Sequence, residues 1–171
     1  MEKKVTTAAV KGIIITLLLI VYSLVIQYTG QGQNKSLGFI TFIIFFAGII
    51  WSCVTYAKQL DENVTFGNVF ADGFKVTAAV AALMSLFSFI LFNFISPELK
   101  DEAIRQMQTQ MEKTKASDEQ IEKSINFTRN YFNVLIIGLQ MLYLLVAGVI
   151  ASLIGAALAK KNPHGPFEQQ A

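Results

Sequence analysis

The sequence predicts an all-α integral membrane protein, with four transmembrane helices and an extramembrane helical hairpin between the third and the fourth. Three observations carry this. Of the 171 residues 53% are hydrophobic and only 15% are charged, a composition too apolar and too charge-poor for an ordinary soluble domain. Apolar runs at about 10–28, 37–57, 72–95 and 132–159 reach the roughly 20 residues that cross a hydrocarbon core of about 30 Å. In lipid the backbone must satisfy its own hydrogen bonds, so such runs are helices. The long polar interval 97–130 has two helix starts and, after Pro97, no proline or glycine, which is the pattern of ordered helices. The chain therefore reads as a single membrane domain, 1–171, with 97–130 as an insertion and 162–171 as a flexible tail.

The first span follows Lys3, Lys4 and Lys11, and no A-x-A-like site comes after it, so it is a retained helix rather than a cleaved signal. The polar, glycine-bearing loop from Thr29 to Ser36 is short enough to make the first two spans an antiparallel pair. Trp51, Tyr56 and Lys58 mark the interface at the end of the second span. A polar connector from Lys58 to Val64 follows, and Thr65 is the expected N-cap of the third helix. That helix begins as an amphipathic lead-in. Phe66, Phe70, Gly73, Phe74 and Thr77 share one face, with Asn68, Asp72, Lys75 and Ala79 opposite. From Val76 the polar face disappears, and no charge occurs until Glu98.

Ser96-Pro97-Glu98 has the form of a helix start, with serine as cap, proline in the first turn and an acid at the positive end of the dipole. Leu99, Ala103, Ile104, Met107 and Met111 form an apolar stripe on this arm. The chain turns at about 113–116, and Ser117 with Gln120 forms a capping box for the second arm. Ile121, Ile125, Thr128 and Phe132 carry its stripe without a breaker into the fourth span. There Gly148, Ser152, Gly155 and Ala159 recur at spacings of four, three and four, a face that lets another helix approach closely. Lys160 and Lys161 end the span at the interface.

These features resemble a bacterial family of unknown function, DUF4199. The residues that carry the resemblance are Thr65-Phe66-Gly67 with Phe70 and the run Gly73 to Thr77, then Phe92 to Leu99, the cap at 117–121 and the small-residue helix closing on Lys160-Lys161. The resemblance covers the full length. It implies a four-helix protein of the bacterial inner membrane, and it carries over no catalytic or binding residue.

Asp72 and Lys75, three apart, are the charges inside the third helix, and they are expected to form a surface pair at the interface. Thr16, Ser85, Ser88, Asn93, Gln140 and Tyr143 are uncharged polar groups of the spans, with hydrogen bonding across helices as their expected role. No hydrolase, metalloprotease or phosphate-loop motif occurs, and no metal or cofactor is expected. His164 stands alone in the tail, and Cys53 is the single cysteine. A net charge of +2 spread over helix ends gives no footprint for nucleic acid. The expectation is a non-enzymatic inner-membrane protein with both termini in the cytoplasm. Besides the bilayer it binds a second copy or another membrane protein, through the 97–130 hairpin and the small-residue face. The alternative is a small oligomeric transport or channel component.

Overall fold

A computed structural model of the chain describes residues 6–30 and 35–160. Lys3, Lys4, Lys161, His164, the middle of the first loop and the expected tail 162–171 lie outside the described residues. The regular elements described are helical: α1 (Ala8–Tyr28), α2 (Lys35–Gln59), α3 (Phe66–Ile90), α4 (Glu98–Lys113), α5 (Asp118–Phe132) and α6 (Gly138–Leu158). π-Helical turns, Leu91–Ile95 and Asn133–Ile137, extend α3 and join α5 to α6. Among the described residues, four stretches are long and apolar enough to cross a membrane: Ala8–Tyr28, Ser36–Gln59, Phe66–Ile95 and Asp118–Leu158. That pattern marks a multi-pass membrane protein.

Local chemistry sets most helix ends. The Thr7 hydroxyl accepts from the Val10 amide to start α1. Gly30, at φ +70, follows the last turn in the left-handed conformation that glycine adopts without a steric penalty. Thr65 Oγ1 accepts from the Asn68 amide at 3.3 Å, as an N-cap does. At Ser117 both halves of the capping box form: its hydroxyl accepts from the Gln120 amide, and its own amide donates to Gln120 Oε1. The start at residue 97 is different. No side-chain cap forms there: the Ser96 amide donates to Leu91 O at 2.8 Å and closes the π-turn, its carbonyl accepts from the Leu99 amide at 3.1 Å, and Pro97 is the cap residue. The helix from Asp118 to Leu158 also bends, because Tyr131 leaves helical geometry at φ −113, ψ 20.

The chain divides into two compact units, 1–83 with 143–171, and 84–142. In the first, glycines set the close contacts. A Cβ on Gly12 would lie 2.8 Å from Ala79 Cβ, one on Gly48 would lie 3.0 Å from Ile15, and one on Gly148 would overlap Thr77. Reciprocal bonds between Thr6 and Gln59, at 3.1 and 3.0 Å, fasten the chain before α1 to the last turn of α2.

The face of α3 buried here is Val69, Asp72, Gly73, Val76, Thr77 and Val80, while Phe66 and Phe74 are exposed. This corrects the lead-in as drawn from sequence, which grouped the phenylalanines with Gly73 and Thr77. In a bilayer large apolar side chains face outward at no cost, so small and polar groups take the interior. The same division holds in α6, where Ala147, Gly148, Ala151, Ser152, Gly155 and Ala156 are buried and Val146, Ile150, Leu153, Ile154 and Leu158 are exposed.

In the second unit α4 and α5 pack on each other, with Ile104 and Ile121 buried and the Thr128 hydroxyl 3.5 Å from Met107 Sδ. Lys115, at φ 57, makes the reversal between them. Below, polar groups link the flanking helix ends. Ser88 donates to Gln140 at 2.8 Å, the Asn93 and Asn133 amides pair at 3.3 and 3.5 Å, and Lys100 donates to Asn93 Oδ1 at 2.6 Å. Phe92 meets Phe132 edge-on, with centroids 5.3 Å apart.

Candidate functional site

The chemically distinctive place in the first unit is a buried ion pair. Lys11 lies in the first turn of α1, where its charge opposes the helix dipole, so it is stable there only with partners from neighbouring helices. Its Nζ donates to Asp72 Oδ2 at 2.9 Å and to the Ser52 carbonyl at 3.3 Å, and it stands 5.2 Å from the centroid of the Tyr56 ring. Ser52 Oγ donates to the same Asp72 oxygen at 3.4 Å. Lys11 is fully buried and Asp72 is 8% exposed. One α1 cation is thus held by an α3 anion, an α2 carbonyl and an α2 ring.

Close packing surrounds this pair. A Cβ on Gly73 would approach Cys53 Sγ and Ser152 Oγ at 2.5 and 2.9 Å, and one on Gly155 would lie 2.8 Å from Cys53 and 3.2 Å from Ile50 Cα. Cys53 is buried, its thiol near the Val69 and Ser152 carbonyls at 3.8 and 4.0 Å. The Thr77 and Ser152 hydroxyls are buried and have no hydrogen-bond partner among the described residues. Charges and hydrogen bonds here are internal to the helices. The arrangement can lock three helices in register. Among the described residues no group of three or more His, Cys, Asp or Glu could hold a metal ion.

A family model described as "Protein of unknown function (DUF4199)" matches residues 10–161. The chain belongs to this family. The DUF4199 match takes in the whole ion-pair cluster and both units' helices, and the family's description assigns no activity. No curated protein and no solved structure matches the chain.

Asp72 and Lys75 do not form the expected surface pair. Asp72 turns inward to Lys11, while Lys75, less than one turn away, is exposed. A carboxylate three residues from one cation and beside another helix takes the partner that shields it from lipid. Gly148, Ser152, Gly155 and Ala159 are all buried, and the first three meet Thr77, Gly73, Cys53 and Ile50 of the same chain. Their face therefore packs within this unit and is not on offer to a second copy. Of the uncharged polar residues, Ser88, Gln140 and Asn93 bond across helices; Tyr143 is exposed against Phe42, and Thr16 and Ser85 have no partner among the described residues. Sequence reasoning missed Lys11 as a site residue because it sits among other basic residues at the chain's start. The available signal was its place directly before Gly12 and one turn before Ile15, at the start of the apolar run.

Proposed function

We propose that this is a non-enzymatic protein of the bacterial inner membrane that binds a membrane-protein partner through an extramembrane hairpin formed by α4 and α5. Its termini lie in the cytoplasm and the hairpin lies on the opposite side. One observation carries the binding reading. The α4–α5 seam buries Ile104 and Ile121 but leaves Met107, Met111 and Ile125 half-exposed, beside a groove of about 300 Å³ between Gln108, Glu112 and the α5 residues Asp118 to Asn126. A seam of that size is marginal alone, and methionine adapts well to a partner surface. The small-residue face of α6 plays no part in this, since it is occupied internally.

Site-specific photocrosslinking in native membranes tests it. A photoreactive residue replacing Ile125, at the groove, is expected to give a discrete product with another protein. The same group replacing Gln110, on the exposed side of α4, is expected to give none. Identical diffuse labelling from both positions would contradict partner binding at the seam, and a product of twice the chain mass would make the partner a second copy.

The transport reading draws on the buried charges, since ionisable groups among membrane helices often mark ion paths. Here the cation is held by a carboxylate, a carbonyl and a ring from two neighbouring helices, which favours a structural lock.

A further inference from the structure

We infer that the lower part of the hairpin's second arm is a lipid-binding surface, with the headgroup layer of the bilayer reaching up α5 as far as Phe127. Only the part of the arm beyond that ring stands in water. This holds on either side of the membrane, and it does not depend on a protein partner.

One stripe of α5 carries the inference. Glu119, Lys123, Phe127 and Tyr131 follow one another at spacings of four, so they share a face of the helix. The first two form an ion pair at 2.6 Å with both side chains more than three-quarters exposed, as suits water. The next two are rings in contact, with centroids 5.0 Å apart, yet they are 55% and 52% exposed. Further along the chain the exposed residues are aliphatic: Val134, Leu139 and Leu142. Charge, ring, phenol and hydrocarbon thus succeed one another in the order of the bilayer's own layers. The rise from Phe127 to Tyr131 is about 6 Å, within the roughly 5–8 Å depth of one headgroup layer.

A second helix end meets the same level. The Asn93–Asn133 pair and the Phe92–Phe132 contact hold the end of α3 beside the start of the last span, and there Phe94 and Ile95 are exposed. A single exposed ring is ordinary on any surface. Here rings on two helix ends run on into the exposed apolar surface of the spans, which lipid covers, and that continuity selects lipid as the occupant. At 3.6 residues per turn, Phe127 stands about 180° around α5 from Asp118 and about 140° from Glu122. Lipid on this face therefore leaves the α4–α5 groove open.

Tryptophan fluorescence of the full chain in lipid nanodiscs, where both faces of the bilayer meet solvent, tests this. Trp51→Phe removes the single native indole, and Phe127→Trp or Glu119→Trp then places one reporter on the stripe. With phosphatidylcholine brominated near the top of its acyl chains, Phe127→Trp is expected to lose about half its emission, as a ring at the interface should, and to resist iodide. Glu119→Trp is expected to show the reverse. Should Phe127→Trp lower the melting temperature, Tyr131→Trp gives the same readout one turn on. Quenching of Phe127→Trp by iodide as strong as that of Glu119→Trp would put the arm in water and overturn the proposal. Quenching by neither agent would overturn it too, since the ring would then be covered by protein.

Discussion

Lys11→Met is expected to destabilise the protein by about 3–5 kcal/mol, because it leaves the Asp72 carboxylate buried without its cation. Asp72→Leu is expected to cost a similar amount by stranding the ammonium. The double variant Lys11→Met with Asp72→Leu should recover most of the loss, since apolar replacement of a whole buried pair is often neutral. Lys75→Met, changing an exposed lysine three residues from Asp72, is the matched control and should have little effect. Thermal unfolding in one detergent compares the four. Single variants as mild as Lys75→Met would contradict the buried pair, and a double variant as damaged as the singles would show that the charges do more than balance each other.

Gly155→Leu is the second large effect. The new side chain would meet Cys53 Cβ and the backbone of Ile50, and backbone cannot move aside as a flexible side chain can. Overpacking of this kind costs about 1–3 kcal/mol, and the upper end is expected here because α2 itself must shift. Gly138→Leu is the control in the same helix, since nothing lies within 4 Å of a Cβ built there. Melting temperatures of the two variants settle the matter: a clear loss for Gly155→Leu alone is predicted, and equal losses would mean that α6 does not pack through its small face.

The spans were legible in the sequence because hydropathy acts residue by residue, and so were the caps at Thr65 and Ser117, which depend on neighbours in the chain. Ser96 misled because its amide, not its hydroxyl, was needed to close a π-turn invisible to spacing. The orientation of α3 was misread because its amphipathicity was judged against water. With lipid outside, Phe66 and Phe74 turn out while Asp72 turns in. The partner of Asp72 was beyond reach for another reason: Lys11 is distant in sequence, and nothing in either local pattern names the other. Local spacing offered only Lys75.

The proposed role depends on the α4–α5 hairpin standing outside the membrane, across from the termini, where a partner can reach the seam. Lys113 and Lys115 flank Thr114 at the turn, so a label at that position reports on which side of the membrane the hairpin stands. A Thr114→Cys variant measures this directly, because the native Cys53 is fully buried and should stay silent. Labelling of intact cells by a thiol reagent that cannot cross the inner membrane is the predicted result; protection in intact cells with labelling only after lysis would place the hairpin in the cytoplasm and contradict the account.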